Sequence, residues 1–167
     1  MRYHFKIVDS FLDDVRADLE RPHEFAWERV GFIRVGLAMG QDETLMLAAE
    51  YSGVADEDYE QCWSVGAKIN ANAIRKALAW ADGWRGGIIH IHAHQGYGKP
   101  KLSPDDREGN ERLIPTFFNV APSKVHGAVI LSDDQFAGLI WPSKTALPIE
   151  ITRFSVVGSP MRIIRHE

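Results

Sequence analysis

The run Ile88-Ile89-His90-Ile91-His92-Ala93-His94 constrains this chain more than any other stretch. Its period of two demands a β-strand, where alternate side chains leave on the same face. His90, His92 and His94 then project to one side, successive members roughly 7 Å apart at a rise of ~3.3 Å per residue. Two imidazoles at that spacing can converge on one zinc ion at ~2.0–2.1 Å from each nitrogen. Either adjacent pair satisfies this, so strand geometry leaves the choice of pair open. A lone histidine would be an ordinary core or surface residue. Three on one strand face give a sheet little, and point to metal binding or catalysis.

The elements around that strand follow from local pattern. Tyr3, Phe5 and Ile7 alternate with His4, Lys6 and Val8, predicting an opening strand. Asp9 or Ser10 then caps a helix in which Phe11, Leu12, Val15 and Leu19 share one face, and Pro22 helps to end it. Strands are expected from Glu28 to Leu37 and from Thr44 to Tyr51, with Gly40-Gln41-Asp42 as the turn between them. Asp56-Glu57-Asp58 reads as a solvated loop. Val65, Ile69, Ile74, Ala77, Leu78 and Ala81 recur at helical spacing, predicting a long amphipathic helix from Trp63 to Trp80 closed by Asp82-Gly83. Past the histidines, Gln95 to Leu102 is a Gly-rich loop, and a helix runs from Pro104 to about Phe117 with Ser103 as its cap. Strands at Gly127–Leu131, Phe136–Trp141 and Ile149–Val157 complete the chain, with Ser132-Asp133-Asp134 as a turn. This uneven order argues against a doubly wound parallel sheet. It predicts a mixed α/β fold, a central sheet flanked by two or three helices, as one domain over residues 1–167.

Composition narrows the chemistry. The single cysteine, Cys62, excludes an internal disulfide and a cysteine-built zinc site, leaving His, Asp and Glu as ligands. A net charge of −4 supplies no broad basic field, so no nucleic-acid partner is expected. The segment Met1 to Phe11 lacks the apolar core of a signal peptide, and no run approaches the ~20 apolar residues that span a bilayer. The expectation is a cytoplasmic protein with no membrane partner.

A third ligand should be anionic and arrive on a neighbouring element, and Leu102-Ser103-Pro104-Asp105-Asp106 offers two candidates, Asp105 and Asp106. The same residues also describe an ordinary capped helix with acids in its first turn. The two readings are compatible, because this helix start lies beyond a flexible loop from His94 and can deliver a carboxylate to a metal. Two histidines and one carboxylate leave a fourth zinc position open, as catalytic sites do.

Taken together, these residues resemble the JAMM (MPN+) metallopeptidases, in particular the short bacterial forms. That family carries a Glu-x-x-Gly signature on a strand, then His-x-His at the end of a later strand, then Ser-x-x-Asp at a helix start. Here Glu28-Arg29-Val30-Gly31, His92-Ala93-His94 and Ser103-Pro104-Asp105-Asp106 match in that order, and the order of elements agrees over nearly the whole chain. The resemblance implies a cytidine-deaminase-like JAMM/MPN core and one zinc ion per chain held by His92, His94 and Asp106. It implies Glu28 as general base and Ser103 as a donor to the developing oxyanion. It further implies cleavage of an isopeptide or peptide bond after the C-terminus of a ubiquitin-like protein. Three departures stand out: eight residues rather than seven between His94 and Ser103, Gln95 where the family usually has proline, and the additional His90, which keeps a His90/His92 pair open.

Two rival readings use the same residues. The alternating run also looks like that of the histidine-triad nucleotide hydrolases, but this leaves Glu28-x-x-Gly31 and Ser103-x-x-Asp106 without a role. The other rival is a non-catalytic JAMM-like scaffold, although such scaffolds have lost ligands that are present here.

Overall fold

A computed structural model describes residues 1–62, 64, 66–122 and 125–166. The chain opens with β1 (Arg2–Val8), which runs directly into α1 (Asp9–Leu19). β2 (Val30–Met39) and β3 (Glu43–Gly53) form an antiparallel pair around the expected turn. After α2 (Ala71–Ala81) come β4 (Gly87–Ala93) and α3 (Pro104–Phe117). The remainder is β5 (His126–Leu131), β6 (Phe136–Trp141), β7 (Ile149–Glu150), β8 (Arg153–Val157) and β9 (Arg162–Arg165). Among the described residues these strands make one mixed sheet of nine, in the order β7-β6-β5-β4-β2-β3-β1-β8-β9. The mixed α/β class expected from the sequence is therefore observed, with three α-helices against the sheet among the described residues.

Pleating sorts the side chains into two cores. Leu12, Val15 and Leu19 of α1 pack with Phe5, Ile33, Val35, Ile89, Ile91 and Phe154. On the other side Ala73, Ala77 and Ala81 of α2 and Ile114 and Phe117 of α3 pack with Val30, Phe32 and Ile88. Each fully buried aliphatic or aromatic side chain contributes roughly 1.5–3 kcal/mol of transfer free energy. Because β4 alternates, placing Ile89 and Ile91 in the first core commits His90 and His92 to the side of α2 and α3. Register then sets Val30 opposite His92 and Phe32 opposite His90.

Several local expectations need correction. α1 has Val8 at its N-cap with no side-chain cap, because the strand feeds straight into the helix; Asp9 bonds Arg162 at 2.7 Å instead of capping. β2 begins at Val30, so Glu28 lies on the approach to the strand rather than in it. The helix predicted from Trp63 starts only at Ala71, capped by the Asn70 side chain, which accepts from the amides of Asn72 and Ala73. Trp63 and Val65 lie outside the described residues. Residues 66–69 are instead non-helical: Glu60 N–H donates to the Lys68 carbonyl at 2.8 Å and Tyr59 bridges Ile69. Ile69 still packs on the second core, so its apolar character is used without a helix. Asp58 is buried rather than solvated, accepting from Lys76 and Asn72 at 2.6 Å each. The strand expected over 149–157 is two strands, because β7 pairs with β6 while β8 crosses to pair with β1.

Candidate metal centre

The end of β4 carries His92 with its side chain 2% exposed and delivers His94 just beyond the strand. The amide of His94 continues the ladder to the Leu131 carbonyl at 2.8 Å, which holds its backbone against β5. The following loop turns through Gly96 and Gly98, both at positive φ, where a side chain would be strained. It is tied to the β5–β6 turn by the Gly98 amide, which donates to Asp134 at 2.7 Å, and by the Ser132 hydroxyl, which donates to the Gly98 carbonyl at 2.7 Å.

α3 presents Asp106 through a capping box. The Asp106 amide donates to Ser103 Oγ at 3.1 Å, and the Ser103 amide donates to Asp106 Oδ2 at 2.7 Å. Capping and presentation of the carboxylate thus coexist, as the sequence allowed. Glu28 is held by backbone: its amide and that of Trp27 both donate to the Gly66 carbonyl at 2.9 Å. Next to it the buried Arg29 guanidinium ties down the approach to β2, donating to the carbonyls of Arg21 and Pro22 and pairing with Asp56 at 2.6 Å.

Glu28, His92, His94 and Asp106 converge so that one donor atom from each lies within 4.8 Å of every other. His92 Nε2 is 3.1 Å from His94 Nε2 and 3.4 Å from Asp106 Oδ1. His94 Nε2 is 3.5 Å from Glu28 Oε1 and 3.6 Å from Asp106 Oδ2. Donors arranged tetrahedrally at ~2.0–2.1 Å from one zinc ion stand about 3.4 Å apart, so these separations suit such an ion. The Nδ1 atom of His92 is buried without a partner, so the hydrogen bonding of this ring is directed through Nε2 into the cluster. The group can hold a metal ion. His90 lies outside it, its Nδ1 2.8 Å from Asn110 Oδ1 on α3, and so does the exposed Asp105.

The two carboxylates are pushed in opposite directions. Burial raises the pKa of Glu28, and the Asp106 charge adds to this against the opposing pull of His92 and His94. Burial also works against ionisation of Asp106, but the contact and charge of His92 and the side chain and amide of Ser103 outweigh it. They hold this carboxyl well below the usual range. Burial and the neighbouring His92 push the His90 imidazole down to about 4, against the opposing contact with Asn110.

Two cavities meet at the cluster. The larger, about 1130 Å³, is lined by Glu28 and His94 with Trp27, Arg16 and Gln95. The smaller, about 290 Å³, is lined by Glu28, His92 and Asp106 with His90 and Asn110. Ser103 lines neither and is seen as the cap of α3. Sequence reasoning passed over three residues that shape the site: Gly66, Arg29 and Asn110. Only Asn110 had a visible signal, since it stands one helical turn beyond Asp106 and so on the same face of α3. Comparison of the chain with known family models and with curated proteins gives no match.

Proposed function

We propose that this protein is a zinc-dependent (iso)peptidase of the JAMM type that cleaves after the C-terminal glycine of a ubiquitin-like protein. The observation that carries the metallohydrolase part is the convergence of His92, His94 and Asp106 at separations suited to three ligands of one tetrahedral ion, with Glu28 Oε1 beside them, 3.5 Å from His94 Nε2. The resemblance of Glu28-x-x-Gly31, His92-x-His94 and Ser103-x-x-Asp106 to the family supports the peptidase part.

In this reading His92, His94 and Asp106 hold the zinc, which when bound supplies Lewis acidity that polarises a carbonyl and lowers the pKa of a water toward ~7. Asp106 suits a permanent anionic ligand because its surroundings keep it ionised. Glu28 suits the proton carrier because burial brings its pKa upward, toward the range where it both takes and returns a proton. Glu28 accepts a proton from the attacking water and later passes it to the leaving amine. The resemblance alone gives Ser103, which lines neither cavity, the role of donor to the oxyanion; its Oγ accepts from the Asp106 amide, which leaves its own proton to donate. A substrate tail ending in glycine suits the approach, since its backbone passes close to the reacting centre without a side chain.

The test is made on untagged protein, by elemental analysis and by cleavage of a ubiquitin-like protein fused through its terminal glycine. One zinc per chain is expected, with cleavage abolished by a strong chelator. Glu28→Gln should keep the zinc and lose turnover by ~10²–10⁴-fold. Activity that persists in chelator, or full activity in Glu28→Gln, overturns the proposal.

A further inference from the structure

We propose that His90 and Asn110 form a subsite that recognises one amide unit, a carbonyl and an N–H together, of a peptide lying beside the metal centre. The proposal rests on the peptidase reading above and goes beyond it by naming the group recognised and the residues that recognise it.

The smaller cavity shares Glu28, His92 and Asp106 with the cluster, so a group bound there sits next to the reacting atoms. Asn110 is 1% exposed and comes from the same helix face as Asp106. Its Oδ1 takes the hydrogen of His90 Nδ1 at 2.8 Å, which leaves its Nδ2 buried with no partner. A buried N–H group without an acceptor is costly and uncommon in folded proteins. A ligand carbonyl would satisfy it.

His90 supplies the complementary function. With Nδ1 donating to Asn110, the neutral ring offers Nε2 as an acceptor. Exchanging the oxygen and nitrogen of the Asn110 amide reverses both roles together: Nδ1 then accepts, Nε2 donates and Oδ1 becomes the free acceptor. In either arrangement the pair presents one donor and one acceptor, which is the complement of an amide. An anion would need two donors. The nearby cations are committed elsewhere, Lys68 to Glu60 at 2.6 Å and Arg112 to Glu108, while Asp105 adds negative charge. Val30, Ile69 and Leu113 give the cavity apolar walls suited to an uncharged group. Phe32, with its ring centroid 5.4 Å from that of His90, fixes the imidazole from the strand side.

The experiment uses the full chain, metal-free and zinc-loaded, labelled with ¹⁵N and titrated with N-acetylglycine methylamide. The side-chain NH₂ signals of Asn110 should shift saturably in both forms. Methyl acetoxyacetate, the ester of the same shape in which oxygen replaces both N–H groups, should bind at least several-fold more weakly, and acetate should not compete. His90→Phe keeps an aromatic ring and Asn110→Asp keeps the side-chain shape. Each, followed by the backbone amide shifts because Asn110→Asp has no side-chain NH₂, should bind the methylamide at least tenfold more weakly while keeping a dispersed spectrum and stoichiometric zinc. Absence of a saturable shift up to the solubility limit overturns the proposal, as does equal binding of the ester, competition by acetate, or unchanged affinity in either variant. Zinc content of the wild-type chain is measured on the same samples. A chain that takes up no zinc removes the peptidase reading, while the metal-free titration decides the subsite by itself.

Discussion

Gly66→Ala should disable the site without touching a proposed metal ligand. A Cβ at position 66 would stand 2.5 Å from Glu28 Cδ and 2.9 Å from Oε1, and closer still to Oε2. Ordinary van der Waals contact begins near 3.4 Å, so the carboxylate must retreat by about 1 Å or the 66–69 segment must lift away. The segment is anchored twice after the clash, since the Gly66 carbonyl holds the amides of Trp27 and Glu28 and Lys68 pairs with Glu60. We therefore expect the carboxylate to yield. A misplacement of ~1 Å of a reacting group costs about 10²-fold in rate. Overpacking of this kind typically costs about 1–3 kcal/mol of stability. The assay is kcat on a ubiquitin-like fusion, with zinc content and thermal unfolding measured alongside. Gly36→Ala is the control, because its Cβ would meet only the Leu47 carbonyl at 4.0 Å. The expected result is a kcat about a hundredfold lower for Gly66→Ala with zinc retained, and little change for Gly36→Ala. Wild-type kcat in Gly66→Ala would refute the placement of Glu28 at the reacting centre.

Two further outcomes follow from the same geometry. His94→Ala and Asp106→Ala should each lose bound zinc by elemental analysis, whereas His90→Ala should keep most of it; the reverse pattern would put the ligand pair at His90 and His92. His126 should make folding stability fall with acid. Its Nδ1 accepts from the Ile88 amide at 3.0 Å and its Nε2 donates to the Ala121 carbonyl at 3.0 Å, which fixes a neutral ring, and burial pushes its pKa down to about 4. A depressed folded-state pKa gives stability that is fully present above the unfolded value of ~6.5 and is lost as pH falls through this window toward about 4. The loss is worth up to about 3 kcal/mol by linkage. Denaturant unfolding at pH 7 and pH 4.5 should show a smaller difference for His126→Gln than for wild type, and an equal difference would remove His126 from the acid response.

The chain's own pattern determined what is local. The alternation at 88–94 specified a strand with its histidines on one face, and Ser103-Pro104 specified where α3 begins, because periodicity and capping depend on near neighbours. The convergence of His92, His94 and Asp106 was legible to that extent, but the pair of histidines was not, since a single strand treats both pairs alike. Packing decided it: α3 crosses β4 so that Asn110 takes His90 while Asp106, one turn earlier, meets His92 and His94. Tertiary structure also decided the segment before α2. The apolar spacing of Ile69 and Ile74 suits a helix, but residues 66–69 are held out of one by bonds that their carbonyls accept from Trp27, Glu28 and Glu60, which no helical spacing anticipates. The same long-range contacts give Glu28 its position and Gly66 its lack of room for a side chain. No spacing rule encodes them, because they exist only once the loop ahead of β2 and the loop ahead of α2 lie side by side.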